Sequence, residues 1–149
     1  MSTTDGMKAD ILGLFFGQYN TAPGEATPST DLTIKKDDLM ASDREIVARY
    51  AWQNDTSNTV ALVCQVSIDG VPVTDMGGAN VKATGLAGTV DEVVFKYPNT
   101  AKALAQGVKH IVSITPGVHN GVLGGQHTYG IGFPTTTWFP AKSFSITLV

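Results

Sequence analysis

The sequence predicts an all-β fold: a single-domain antiparallel β-sandwich preceded by an N-terminal arm, with at most one short helix. Three observations lead there. From Asp31 onward, short runs in which apolar and polar residues alternate recur at regular intervals. Glycine is abundant at 16 residues, threonine more so at 18, and charged residues make up only 15% of the chain, a texture of short strands and tight turns with a surface of hydroxyls and backbone. An Asp-Gly pair, Asp69-Gly70, separates two β-rich runs, and both residues tolerate the positive φ of a two-residue hairpin loop. At 149 residues the chain suits one domain, which buries about 68–70% of its unfolded surface without needing staples.

The elements follow in order. Residues 1–30 read as arm and linker. Ile11, Leu12, Leu14, Phe15 and Phe16 form an apolar patch with Gly13 and Gly17 in or beside it, and the segment has the option of being helical. Residues 20–30 carry two prolines among small polar residues and predict an extended connector. The domain proper is expected at 31–149. Leu32 and Ile34 alternate with polar neighbours. From Glu45 a strand is expected with Ile46, Ala48, Tyr50 and Trp52 on one face and Glu45, Val47, Arg49 and Ala51 on the other. Ser42 and Glu45 have capping-box spacing, but β-branched and aromatic residues favour the strand.

The hairpin pairs residues 59–68 with 71–73, and Pro72, having no N–H to donate, marks the returning strand as an edge or a strand start. Further strands are expected over 89–97, 108–115, 128–133 and 142–149. The last two alternate cleanly, with Tyr129, Ile131 and Phe133 in one and Phe144, Ile146 and Leu148 in the other. Residues 99–107 end on Gly107 and hold good helix formers, so the short helix is expected there. Trp138-Phe139-Pro140, preceded by Pro134 and three threonines, reads as a loop carrying large rings.

Composition narrows the function classes. The net charge of −3 comes from 10 basic and 13 acidic residues with no block of one sign, so no basic strip is offered to nucleic acid or to an anionic membrane. Ile11 to Phe16 falls far short of the ~18–20 apolar residues that cross a bilayer, and no secretory leader is recognisable. The expectation is a chain made and kept in a cytoplasm. The lone cysteine, Cys64, lies in an apolar run and reads as a small buried hydrophobe.

Catalytic patterns are missing one by one. His110 lies between Val108 and Val112 and is expected inside the core; His119 and His127 bracket a glycine-rich loop but lack a third ligand. The acidic residues are scattered and match no calcium loop. No serine sits in a Gly-x-Ser-x-Gly elbow. Gly130-Ile131-Gly132 lacks the third glycine and following helix of a dinucleotide fingerprint, and Gly85 to Gly88 lacks a P-loop lysine. No catalytic residue, metal site or cofactor is therefore expected.

The tethered apolar patch remains. Full burial of each such side chain contributes ~1.5–3 kcal/mol, so Ile11, Leu12, Leu14, Phe15 and Phe16 must dock, either on their own core or on a neighbouring subunit. In the second case residues 1–19 should be removable without unfolding the body. A short N-terminal segment, a linker and a glycine- and threonine-rich, lightly charged β body resemble, over the whole chain, the small decoration or cement proteins of tailed-phage capsids. The resemblance implies a jelly-roll or related sandwich that oligomerises on the outer face of a shell of major capsid protein, and hence a virion location; no functional residue is carried over by it. The expected role is a non-enzymatic capsid stabiliser that partners the major capsid protein and copies of itself, with neither nucleic acid nor membrane as partner. The alternative is a carbohydrate-binding or adhesive module, of tail, fibre or lectin type, contacting sugar through Trp138 and Phe139, with His119 and His127 as further loop-end candidates. A cupin-like enzyme is least supported, since no His-x-His cluster exists.

Overall fold

A computed structural model describes residues 7–17, 27–41, 45–54, 60–73, 75–81, 87–93, 103–119, 128–130 and 136–149. The all-β class holds. The strands are β1 (Met7–Gly17), β2 (Asp31–Ile34), β3 (Glu45–Asn54), β4 (Val60–Ile68), β5 (Val71–Val73), β6 (Asp75–Val81), β7 (Ala87–Val93), β8 (Lys109–His119), β9 (Thr128–Gly130), β10 (Thr136–Trp138) and β11 (Lys142–Leu148), with one short helix, α1 (Lys36–Ala41). They form a three-stranded sheet in the order β1-β3-β7 and a larger one in the order β2-β11-β8-β4-β6-β9, to which β10 adds on β8 and β5 on β4.

The Asp-Gly hairpin forms as its sequence dictates. Asp69 (φ 50°) and Gly70 (φ 83°) both lie in the left-handed region, β4 pairs β5 with Ile68 opposite Val71, and Pro72 sits in a strand whose only described partner is β4. In β11, Phe144, Ile146 and Leu148 are buried, as their alternation predicts. The expectation of purely antiparallel sheets needs one correction. β2 runs parallel to β11, Asp31 to Ile34 against Ser145 to Leu148, and the contact is sealed by Ser145 N–H to Thr30 O (3.0 Å) and Val149 N–H to Ile34 O (2.9 Å). Parallel neighbours need a crossover, and here the crossover is most of the chain.

The arm is the larger correction. The apolar segment is not held outside the body: it is β1, paired antiparallel with β3 from Met7↔Asn54 to Gly17↔Glu45. Ile11 and Leu14 are fully buried and join one core cluster with Ile46, Ala48 and Tyr50 of β3 and with Leu62, Val112, Ile114 and Ile146 of the other sheet. A slip in register between Ile11 and Gly13 leaves Leu12 without an opposite residue. That bulge resets the phase of the pleat, so Ile11, Leu14 and Phe16 all fall opposite the core-facing residues Tyr50, Ala48 and Ile46, which strict alternation along the strand would not allow. Leu12 is the residue turned out, at 43% exposure.

The second half of the presumed linker explains Gly13. Leu14 and Ser29 exchange backbone hydrogen bonds of 2.9 and 2.8 Å. A Cβ on Gly13 would lie 2.9 Å from both the Pro28 Cβ and the Ser29 nitrogen. Residues 27–30 thus run against β1, while 18–26 lie outside the described residues.

Other expectations shift in smaller ways. The short helix is at 36–41, where Leu39 is buried, whereas residues 103–107 form turns; the rest of the 99–107 stretch lies outside the described residues. β3 buries Val47 (0% exposed) and Arg49 (5%) as well as its expected core face. β6 and β10 are strands the sequence did not announce. The predicted strands at 89–97 and 128–133 are described only as β7 and β9, and the remainder lies outside the described residues. No helix among the described residues is long and apolar enough to cross a membrane.

Leu14→Ala should lower stability by about 2–5 kcal/mol, as for other large-to-small changes at fully packed sites, measured by urea unfolding. A chain lacking residues 1–19, instead of leaving a folded body, should show no cooperative unfolding transition. Gly13→Ala should cost about 1–3 kcal/mol by overpacking against Pro28 and Ser29; an unchanged midpoint would show that the 27–30 segment yields freely.

Candidate functional site

Two features collect polar side chains: a tie at one corner of the larger sheet and the sheet's outward face. At the corner, the hairpin turn, β8 and the 103–107 turn converge on His110. Asp69 uses both carboxylate oxygens, one accepting from the Ile111 N–H (2.8 Å) and the other from His110 Nδ1 (2.7 Å). His110 Nε2 donates to the Ala105 carbonyl (2.8 Å). The ring is 6% exposed and lies on the core side of β8, with Val112 and Ile114 following at the same pleat phase, as the sequence predicts. The carbonyl of Ala105, and then the Asp69 carboxylate, raise the His110 pKa above its usual 6.5, because each stabilises a ring N–H and together they favour the doubly protonated ring. Asp69 shifts the opposite way, its carboxyl held below 3.8 by the His110 and Ile111 hydrogen bonds.

The outward face is set by the same registers. Ser67 of β4 lies opposite Ser113 of β8, which lies opposite Ser143 of β11, so three serines form one row across three strands spaced about 4.8 Å apart. Gln65↔Thr115 is the row on one side. On the other side run Ile111↔Ser145↔Asp31 and then Lys109↔Thr147↔Thr33. Ile111 is 47% exposed in the middle of these hydroxyls. Ser145 is largely covered and donates a short hydrogen bond to the Asp31 carboxylate; that bond, and next the Lys109 ammonium, hold the Asp31 carboxyl below its usual range. Lys109 and Asp31 are 3.5 Å apart and mostly exposed, a geometry in which an ion pair contributes little. The described face is therefore nearly neutral, and its hydroxyls stand among few charges.

The sequence-derived residues fall in different places. Ile11, Leu14 and Phe15 are buried, Phe16 is partly buried, and only Leu12 reaches solvent. Phe15 lies under the Arg49 guanidinium, 5.2 Å from ring centroid to charge, within cation–π range. These five do not make a common surface. Trp138 and Phe139 are half-buried and pack against the core cluster, and Phe139 N–H donates to the Pro116 carbonyl (2.9 Å). Of the expected ring-bearing loop, Trp138 ends strand β10, which pairs with β8 from Thr136↔His119 to Trp138↔Gly117, and Phe139 and Pro140 follow it outside any strand. His119 is on β8, and His127 lies outside the described residues. Cys64 is a buried free thiol. Among the described residues no group of three or more His, Cys, Asp and Glu side chains could hold a metal ion.

Asp69 and the serine row escaped the sequence reading. Asp69 registered only as a turn former, and Ser67, Ser113 and Ser143 only as the polar half of three alternations. The sequence signal for the row was the phase of those alternations, but joining them needs the cross-strand register.

Comparison of the chain with protein-family models, with curated proteins and with solved structures found no match.

Trp138→Ala should lower stability by about 0.5–3 kcal/mol, read as an earlier thermal midpoint. A ring acting only as a ligand platform would leave the midpoint where it is.

Proposed function

We propose that this chain is a non-enzymatic architectural protein that acts through contact between its outward sheet face and another protein surface. The observation that carries the reading is the face built on Ser67, Ser113 and Ser143 with Ile111 at its centre. Uncharged hydroxyls cost far less to remove from water than charges do when their hydrogen bonds can be remade. Short side chains also lose little rotamer freedom on contact. An array of this kind can be covered with small penalties. The charged side chains seen at its margins already have partners in Asp31–Lys109 and Asp69–His110.

The partner class comes from the resemblance to capsid decoration proteins: a shell of major capsid protein, with self-association of this chain on it. The original support for that role, an apolar arm reaching for a neighbour, is replaced by the sheet face, because Ile11 and Leu14 are committed to their own core. The carbohydrate reading finds less support, since the rings it relied on pack inward.

The test pairs Ile111→Lys with Ser113→Arg on the full chain. The wild-type protein should sediment with capsid shells and show an oligomeric mass by light scattering. The double variant should lose at least about tenfold in shell binding, equivalent to 1.4 kcal/mol, with an unchanged unfolding midpoint. Binding by the double variant equal to wild type would remove the face from the contact, and a monomeric wild-type chain that ignores shells would remove the architectural role itself.

A further inference from the structure

The corner tie has a property that its residue types do not announce. A backbone carbonyl can only accept a hydrogen bond, so the 2.8 Å contact from His110 Nε2 to Ala105 O requires a proton on Nε2. The Asp69 carboxylate, which also accepts the Ile111 N–H, requires one on Nδ1 at 2.7 Å. A neutral imidazole carries only one of these protons. Its other nitrogen would present a lone pair to an oxygen at hydrogen-bond distance, on a ring that is buried beside a carboxylate that is half exposed.

What the ring holds together is specific. Through Ala105 it fastens the 103–107 turn, whose Leu104 packs on the core and whose Gly107 (φ 78°) donates to Leu148 O at 2.7 Å. Through Asp69 it fastens the hairpin turn, whose Asp69 N–H also donates to the Ile111 carbonyl at 2.8 Å. The elements around the ring bring no competing described charge: β11 places Ile146 opposite His110, and the 103–107 turn contains no ionisable residue. Lys109 and Asp31 are paired with each other on the opposite face of the sheet.

We propose that His110 is a proton-operated latch, which as an imidazolium clamps the 103–107 turn and the Asp69–Gly70 turn to β8 and on losing its proton releases the 103–107 turn with Leu104.

The sign of the pH response follows. A histidine whose pKa is raised in the folded state adds stability that is fully present below the unfolded value of 6.5 and disappears as pH climbs through the folded value. Asp69, lowered from 3.8, adds stability that is present above that value and is lost as pH falls through its folded one. The latch is closed between these limits and opens on the alkaline side at Ala105, where neutral His110 can keep Asp69 but not both acceptors. Histidine charge switches of this type act on a local bistable element, and here the element is the five-residue turn at 103–107.

The latch is read by nitrogen-detected NMR of the histidines together with amide exchange in the full-length protein. At pH 5.5, below the unperturbed value, both His110 ring nitrogens should be protonated, with a titration midpoint above 6.5. As pH passes that midpoint, exchange at the Gly107 amide should accelerate about tenfold or more relative to core amides such as Leu62, while the Ile111 amide, held by Asp69, stays slower. Asp69→Asn keeps a turn-compatible residue and an acceptor for Ile111, and should lower the midpoint and move Gly107 release down with it. His110→Gln cannot donate in both directions as the imidazolium does and should leave Gly107 fast at every pH. A single protonated nitrogen at pH 5.5, a midpoint at or below 6.5, or a titration with no change at Gly107 would each overturn the proposal.

Discussion

Everything in this fold leans on the seating of β1. Its pairing with β3 makes the small sheet, and its buried side chains carry that sheet onto β8, β2 and β11, which it approaches directly. Two local devices make the seating possible. The bulge at Leu12 brings Ile11 and Leu14 to the same face, and Gly13 lets residues 28 and 29 close on the strand. Ile11 and Leu14 then join Tyr50, Leu62, Val112 and Ile146 in one cluster, so neither sheet has a complete core without the other. One shared cluster is reason enough for two sheets to persist as one domain, since each buries apolar side chains that it cannot leave in water.

Against that apolar framework, the described polar side chains act mostly as ties between segments distant in sequence. Lys142 donates to Asp10 at 2.8 Å, linking β11 to β1. Ser145 donates to Asp31, linking β11 to β2, and His110 joins two turns through Asp69 and Ala105. Exposed pairs of this kind contribute little stability each, but each joins strands far apart in sequence. The tie at His110 differs from the others because the ring is buried and both its nitrogens are used, so its geometry depends on its charge. The outward face, in contrast, keeps its hydroxyls in rows, with Asp31 and Lys109 the charged side chains among its described residues.

Much of the strand pattern was legible residue by residue. Asp69-Gly70 determined a hairpin because few dipeptides accept two successive positive φ values so readily, and Phe144, Ile146 and Leu148 marked the inner face of β11 because a period of two has one buried side. His110 was legible as a satisfied core histidine from its apolar neighbours. β1 was not legible as a strand, since the run Ile11 to Phe16 has no alternation to follow: the bulge that resolves its phase is a property of its pairing with β3. The short helix was placed too late in the chain, because 103–107 has helix-forming residues but its Gly107 and Ala105 are used to reach Leu148 and His110. The serine row was visible only as three unrelated polar positions.

By itself, then, the sequence determined the class of structure: pleated strands, a tight hairpin, few charges, and an inner face for each well-alternating run. These are set by steric and hydrophobic preferences acting over a few residues. Tertiary structure alone decided that residues 7–17 belong inside the body, that β2 lies parallel to β11, that three serines share a row, and that one histidine faces two acceptors at once. Each of those depends on register between segments tens of residues apart, and register is chosen by the whole buried surface, which no local window contains.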